Sequence, residues 1–161
     1  MTLTPKSPSA SATEMVEVVL PNDANPMGFM LGGAVMHLID IAGAIAAFRH
    51  AHELMVTAAV DGLEFLNPIK VGDFVVLKAR VTAVFTTSLE VEVMVFSEEA
   101  LTGRRQMTSR AHLTFATLAR DGVRAQIAPL LLETDEEKRQ QAEAEVRRAD
   151  RLARRVRSKD Q

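Results

Sequence analysis

Residues 29–50 read FMLGGAVMHLIDIAGAIAAFRH, and the predicted architecture follows from this segment. From about Ala34 to His50 the residues are apolar on nearly every side of a helix, and Gly32-Gly33 leads into it. A helix that is apolar on all sides is enclosed by protein instead of lying on a surface. About 17 residues at about 1.5 Å each give a length of roughly 25 Å, the width of a small domain. The sequence therefore predicts one long buried helix around which the rest of the chain folds.

The same stretch is apolar enough to raise the possibility of a membrane span. A spanning helix needs about 20 consecutive apolar residues with few charges. Here His37 and Asp40 interrupt the middle, and no second stretch of this kind occurs in the sequence. We therefore expect the core helix of a soluble protein, with no membrane partner.

Short β-branched and alternating stretches predict five strands in the rest of the chain. The later strands are joined by short turns, which favours an antiparallel meander. Between Leu89 and Val95 apolar residues alternate with Glu90 and Glu92, and this alternation predicts a strand with one wet face. The predicted strands cover residues 14–20, 55–66, 74–85, 89–95 and 105–119.

These elements predict an α+β domain in which a five-stranded antiparallel sheet wraps around the helix. The open side of the helix and the sheet edge then need another subunit to cover them. We expect a flexible leader over residues 1–12, which lacks the apolar core of a secretory signal. The domain itself is expected over 13–132 and a charged C-terminal helix over 133–161.

The C-terminal segment is rich in Glu, Arg, Gln and Ala. Glu143 with Arg147, and Asp150 with Arg154, are spaced to form i,i+4 ion pairs in the favourable order. A thin apolar stripe recurs at helical spacing, which predicts a solvated helix that packs weakly or pairs with another subunit. Acidic residues interleave with the arginines throughout, which argues against nucleic acid as a partner. The stripe comprises Ala142, Val146, Ala149, Ala153 and Val156.

Composition excludes several classes of site. The 161 residues carry a formal net charge of -2 and include no Cys, Trp or Tyr. Disulfides, thiolate metal sites and a cysteine nucleophile are therefore excluded, and a reducing cytoplasm is the expected compartment. The four histidines have no metal-ligand spacing, and no phosphate-binding glycine loop or nucleophile elbow is present. We expect no metal and no cofactor.

Asp40 is the unusual residue of the predicted helix. A lone carboxylate flanked by Leu38, Ile39, Ile41 and Ala42 is costly to bury unless it is paired or functional. The alternative is that Asp40 lies on an exposed stripe of the helix together with His37. Periodicity alone leaves both interpretations open.

The loop-to-helix junction is the second candidate. Glycines at 28, 32 and 33 allow a ligand to approach the backbone closely, and free N–H groups at a helix start attract negative charge. Such a junction suits an oxyanion that develops during a reaction. A plain glycine-rich turn is the alternative interpretation.

Several short motifs occur in order along the chain: LPNDAN at 20–25, Gly28, Gly32-Gly33, Ile39-Asp40, Arg49-His50, VDGLEF at 60–65, Pro68, VGD at 71–73 and TSLEVEV at 87–93. In this order they resemble the acyl-CoA thioesterases of the hot-dog fold, and the resemblance covers about residues 14–125. This chain departs from the family in having Asn67 where a basic residue is frequent, and Phe85-Thr86 ahead of the Thr-Ser pair.

The resemblance implies a specific site and assembly. Asn25 of one protomer and Asp40 of another would form the catalytic pair at a dimer interface. The N–H groups near Gly32 and Gly33 would polarise the thioester carbonyl, and CoA, as part of the substrate, would run along the interface. A homodimer is the minimum assembly and a trimer of dimers is common. The candidate CoA contacts are Arg49, Asp61, Phe65, Thr87 and Ser88, with Lys70, Arg104 and Arg105 as further sources of positive charge.

The chemistry implied is hydrolysis of an acyl-CoA thioester. Asp40 would activate water as a general base or attack the thioester directly, and the sequence does not separate these routes. Met36, Ile39, Phe65 and Met94 could line an acyl tunnel or belong to the core. Two other functions remain open at this point. One is a non-catalytic acyl-CoA sensor, and the other is a hot-dog hydratase or dehydratase that uses His37 with Asp40.

Overall fold

A long helix, α1 (Gly32–Ala51), lies against one face of a five-stranded antiparallel sheet. The structure is a computed structural model that describes residues 2–160. The strands are β1 (Thr13–Val18), β2 (Met55–Phe65), β3 (Phe74–Val84), β4 (Ser88–Glu98) and β5 (Arg105–Thr117). Their spatial order is β1-β3-β4-β5-β2. The α+β class and the hot-dog arrangement predicted from the sequence are therefore confirmed.

The path of the chain differs from a simple meander. β3, β4 and β5 pair in sequence order, as predicted. β1 instead pairs with β3, and β2 pairs with β5, so that these two consecutive strands form opposite edges of the sheet. The reason is that α1 separates them and carries the chain across the face of the sheet.

The hydrophobic core lies between α1 and the sheet face that it covers. At Gly43 an added Cβ would come within 3.2 Å of the Phe115 ring, so glycine permits close approach of the helix to β5. The buried residues of α1 are Val35, Leu38, Ile39, Ala42, Gly43, Ala46, Ala47 and His50, and the sheet contributes Leu77, Val91, Val93, Leu113 and Phe115 among others.

The opposite face of α1 is open in the single chain. Met36, His37, Asp40 and Phe48 are exposed there, so the prediction of a helix enclosed on all sides is wrong for one protomer. By length and apolar composition alone α1 could cross a membrane. Its buried face packs on the sheet, as the core helix of a water-soluble fold does. The apolar composition of α1 therefore predicts that another subunit covers its open face.

The second helix, α2 (Asp135–Lys159), lies on the other face of the sheet. It begins with a capping box in which Thr134 and Glu137 exchange hydrogen bonds. It covers the strand face that the alternation predicts to be wet, so Glu90 is only 2% exposed and Glu92 only 6%. The prediction of a wet face is therefore wrong, because the acidic side chains are buried under the helix with basic partners.

Helix α2 packs on the sheet through a face other than its apolar stripe. Ala144 is its buried residue, and Arg147 pairs with Glu90 instead of Glu143. Arg154 likewise pairs with Asp61 instead of Asp150. The apolar stripe, which the sequence predicts to pack weakly or to pair with another subunit, is exposed in the single chain, for example at Val146 and Val156. Its pairing with another subunit stays a prediction.

Residues near the start of the chain are ordered against the domain. Pro8–Ser11 form a 3-10 turn, and the buried Ser11 hydroxyl accepts a hydrogen bond from the Val81 N–H at 2.9 Å. The backbone of Lys6 pairs with that of Leu130 in an isolated β-bridge. This part of the expected leader is therefore not free, while Met1, like Gln161 at the other end, lies outside the described residues.

A small hairpin follows β5. Its strands are β6 (Ala119–Arg120) and β7 (Val123–Arg124). Asp121 and Gly122 join them with positive φ angles, the geometry that a two-residue hairpin turn requires.

Candidate active site

Asp40 lies in the middle of α1, on the face that the sheet leaves open. Thr57, near the start of β2, donates a hydrogen bond from its Oγ1 to Asp40 Oδ1 at 2.6 Å. This bond orients the carboxylate and leaves Oδ2 without a hydrogen-bond donor among residues 2–160. Both side chains open into a cleft of about 260 Å³ whose other walls are apolar. Those walls are Met36, Ile39, Val60, Leu63 and Leu113.

Thr57 is a residue of the candidate site that the sequence alone does not indicate. Asp40 is exposed in one chain, so the alternative of an exposed stripe shared with His37 describes the single protomer correctly. The hydrogen bond from Thr57 nevertheless holds the Asp40 carboxylate in one orientation. A side chain that is only solvated has no such partner. The feature that marks Thr57 in the sequence is a hydroxyl on an edge strand. Its contact with Asp40, however, depends on where β2 pairs in the sheet.

Asn25 is held by the loop that precedes α1. Its Oδ1 accepts hydrogen bonds from the Met27 N–H at 3.0 Å and the Phe29 N–H at 3.1 Å. These two bonds determine which end of the amide is oxygen. The Nδ2 donors therefore point away from the loop, and no acceptor binds them within the described chain. Asn25 thus presents N–H groups, as stabilisation of an oxyanion requires.

The start of α1 presents further donors. No side chain caps this end, and the N–H groups of Gly32 and Gly33 have no acceptor among the described residues. Around Gly33 no atom lies within 4 Å of an added Cβ, so a ligand can reach the backbone there. At Gly32 an added Cβ would lie 3.3 Å from the Phe65 ring. The junction is therefore open on one side and packed on the other.

One chain does not bring Asn25 and Asp40 together. Asn25, Gly32 and Phe65 line a separate cleft of about 380 Å³ that shares no lining residue with the Asp40 cleft. Eight helical residues from Gly32 to Asp40 correspond to roughly 12 Å. The two halves of the predicted pair thus line different clefts of the same protomer.

The other predicted CoA contacts lie apart from these clefts, except Phe65. Arg49 donates to the Ala12 carbonyl at 2.6 Å and to Thr13 Oγ1 at 3.1 Å. Asp61 is paired with Arg151 at 2.8 Å on the outer face of the sheet.

The remaining predicted residues lie near the ends of strands. Thr87 and Ser88 lie at the turn between β3 and β4, where the Thr87 carbonyl accepts from Thr117. Lys70 and Arg104 line a polar cleft of about 230 Å³. Arg105 pairs with Glu98.

Two of the four residues expected for an acyl tunnel line the Asp40 cleft. Met36 and Ile39 are in its wall, and Phe65 lines the Asn25 cleft. Met94 lies instead in a cleft on the outer sheet face beside Lys78 and Arg80. Its inclusion is therefore wrong, because side chains alternate between the two faces along β4.

Two buried titratable groups belong to the fold and not to these clefts. A hydrogen bond from His112 lowers the pKa of Glu92, opposed by burial. Burial lowers the pKa of His50, whose Nε2 contacts the Ala128 carbonyl at 2.7 Å. Within residues 2–160, no three His, Asp or Glu side chains lie close enough together to hold a metal ion.

Comparison with known proteins places this geometry in a family. The thioesterase superfamily matches residues 27–104. An uncharacterized acyl-CoA thioester hydrolase of Bacillus subtilis, YkhA, is 36% identical over 136 residues, which cover 83% of this chain and 79% of the relative. The human cytosolic acyl coenzyme A thioester hydrolase is 30% identical over 145 residues, which cover 89% of this chain but only 38% of that longer protein.

Solved structures agree with the sequence matches. An acyl-CoA hydrolase of Staphylococcus aureus, solved with butyryl-CoA, CoA and CoA disulfide, is 35% identical with a TM-score of 0.87, covering 96% of this chain and 94% of that one. Variants of that enzyme with an Asp, an Asn or a Thr replaced by Ala have also been solved. An apo-hexameric acyl-CoA thioesterase is 34% identical with a TM-score of 0.88, covering 94% and 97%. This chain therefore belongs to the thioesterase superfamily, as one of its acyl-CoA thioester hydrolases.

Proposed function

We propose that this chain hydrolyses acyl-CoA thioesters to a carboxylic acid and free CoA at a site shared by two protomers. Asp40 comes from one protomer and the partner's Asn25 completes the site. The observation that carries this proposal is the Asp40 carboxylate, oriented by Thr57 and open to a cleft on an exposed apolar helix face. A carboxylate of this kind serves as a base or a nucleophile once another subunit covers the cleft.

The relatives supply independent support for this choice of residues. The Asn, Asp and Thr that were replaced by Ala in the S. aureus enzyme are separated along its chain by the same intervals as Asn25, Asp40 and Thr57 here. Thr57 thus joins the pair through its hydrogen bond to Asp40.

The proposed reaction follows from the groups available. Asp40 takes a proton from water, and the water oxygen forms a bond to the thioester carbonyl carbon. The Nδ2 of the partner's Asn25 and a nearby backbone N–H at the partner's Gly33 stabilise the oxyanion, an effect worth about 10²–10³-fold per donor. The C–S bond then breaks, and the proton held by Asp40 passes to the CoA thiolate.

Direct attack by Asp40 is the second route. It forms a mixed anhydride and expels CoA before water enters. Mass spectrometry of the enzyme quenched during turnover separates the routes, because only the second attaches an acyl group to Asp40.

The proposed assembly is a trimer of dimers. The open face of α1 and the unpaired edge of β2 are apolar surfaces that a partner protomer would cover. A hexameric relative of similar structure favours six chains. Light scattering on the eluting protein tests this, with a mass of about six chains of 17.6 kDa as the expected result. We place the activity in the cytoplasm, as in the human relative named cytosolic, with no nucleic-acid or membrane partner.

Release of free thiol from short, medium and long acyl-CoAs tests the proposed activity. Asp40→Asn and Asn25→Ala are expected to lose most turnover, about 10²–10⁴-fold for the base, while oligomer mass and circular dichroism stay unchanged. Near-wild-type turnover by Asp40→Asn would refute the assignment. Binding of acyl-CoA without thiol release would favour the sensor.

His37→Gln is the matched control, because His37 lies on the same exposed face one turn earlier. The proposed hydrolysis does not use His37, so thiol release should be retained in this variant. Hydration of an enoyl-CoA that is lost in His37→Gln would favour the hydratase.

A further inference from the structure

Asp61 is held by the C-terminal helix from the opposite side of the sheet to Asp40. Arg151 donates to Asp61 Oδ2 at 2.8 Å, and Arg154 donates to Oδ1 at 3.3 Å. The side chains of Asp61 and Arg151 are only 14% and 12% exposed, while Arg154 is largely exposed. Both carboxylate oxygens of Asp61 are thus occupied from within the chain. We refer to Asp61, Arg151 and Arg154 as the Asp61 ion-pair cluster.

The strand that carries Asp61 also carries Thr57. β2 is an edge strand that pairs only with β5 in this chain. Its register is irregular between Thr57 and Ala59 and again between Asp61 and Glu64. Such irregularities disrupt the ladder locally and change the twist of the strand. Between them, residues 59–61 stay paired with β5, and side-chain contacts add to that pairing in fixing their position.

Those contacts come from both faces of the sheet. On the inner face Val60 lines the cleft of Asp40 and Thr57. On the outer face Asp61 is fixed to α2 by the ion-pair cluster. α2 is itself anchored to the sheet centre, because Arg147 makes a two-pronged contact to the buried Glu90 at 2.9 and 2.8 Å. Arg151 lies one turn further along α2, and its contact with Asp61 links the anchored helix to the edge strand β2.

We propose that Asp61 and Arg151 are positioning residues that hold β2 so that the Thr57 hydroxyl meets Asp40. In this proposal Asp61 does not contact CoA, in contrast to the expectation from the family resemblance. The inference rests on the proposed function, because it takes Asp40 as the base or nucleophile. It adds α2 as a working part of the site, although no residue of α2 lines either cleft.

A double-mutant cycle on kcat and KM tests this role. Asp61→Asn, Arg151→Gln and the double variant are assayed for thiol release from butyryl-CoA. Each single variant is expected to lose about tenfold in kcat with KM unchanged, since small misplacements distant from the reaction can cost up to about 10²-fold. The double variant should lose no more than either single variant, because both remove the same contact. Arg151→Lys should recover part of kcat.

Arg139→Gln is the matched control. Arg139 is also on α2, but its partners Glu136 and Glu143 lie on the same helix. Its kcat and KM should equal those of wild type. This control separates loss of the cluster from loss of any arginine on α2.

Three outcomes would overturn the proposal. The first is a raised KM in Asp61→Asn with an unchanged Arg151→Gln, which would make Asp61 a CoA contact. The second is additive losses in the double variant, and the third is unchanged kcat in both single variants. If Arg151→Gln unfolds below the assay temperature, Arg151→Lys is assayed in its place. Its kcat should fall by less than the loss expected for Arg151→Gln, while its KM stays unchanged. Retained turnover in Asp40→Asn would instead count against the proposed function, so the two failures are distinguishable.

Discussion

Helices α1 and α2 lie on opposite faces of the same sheet and are held there by different interactions. α1 buries eight residues, nearly all apolar, against the strands. α2 buries only Ala144 and is held by arginines that reach acidic residues of the sheet. Apolar burial is a non-directional interaction, whereas charge-assisted hydrogen bonds need a particular geometry between their partners. We therefore assign to α1 stability together with the proposed catalytic carboxylate, and to α2 the proposed alignment of β2.

Leu38→Ala tests the contribution of α1 to stability and should give the largest loss in the free energy of unfolding. Leu38 is 6% exposed in the core, and truncation of a buried leucine costs about 2–5 kcal/mol. The free energy of unfolding, from urea titration at fixed protein concentration, checks this. Ala153→Gly on the exposed stripe of α2 is the control and should cost about 1 kcal/mol at most. Equal losses in both variants would contradict the contrast between the helices.

Arg147→Met tests the contribution of α2 to stability. It leaves the Glu90 carboxylate buried without its guanidinium, at a cost of about 3 kcal/mol in the free energy of unfolding. The double variant Glu90→Leu with Arg147→Met should recover most of that stability, because replacing both partners of a buried ion pair by apolar groups is often neutral. A double variant as unstable as the single would show that the loss does not come from the unpaired charge of Glu90.

Acidification should affect α1 at its C-terminal end. Burial lowers the pKa of His50 below its ordinary value of 6.5, so the folded state resists a proton that the unfolded state accepts. Stability is therefore fully present above pH 6.5 and falls as the pH drops from 6.5 towards the lowered pKa of His50. The free energy of unfolding measured against pH should show this slope in wild type and a flatter one in His50→Gln. An identical slope in both proteins would assign the effect to another group.

How far the sequence predicts this molecule depends on which contacts hold each part. The strands and α1 follow from local alternation and helical periodicity, so their predicted ends fall within a few residues of the observed ones. The packing face of α2 does not, because Arg147 and Arg151 pair with Glu90 and Asp61, far away in the chain. Apolar spacing cannot indicate a helix face that docks through charge.

The candidate site shows the same limit. Asp40 stands out in the sequence because an acidic residue interrupts an apolar helix. Thr57 does not, since its contact with Asp40 exists only after β2 has taken its place at the sheet edge. Asn25 came from the family resemblance, and the structure adds that its loop fixes the amide oxygen and leaves the N–H groups outward.

Complementation between inactive protomers shows whether Asp40 and Asn25 of different chains form one site. Asp40→Asn and Asn25→Ala chains, carrying different affinity tags, are mixed, unfolded, refolded together and purified through both tags. If each site uses Asp40 of one protomer and Asn25 of its partner, a mixed dimer contains one intact site and one doubly defective site. Thiol release should return to about half of the wild-type rate for each mixed dimer, which is about a quarter of the wild-type rate for a hexamer in which the two kinds of chain pair at random. Mixed assemblies as inactive as their parents would contradict a shared site and place both residues in one chain's own site.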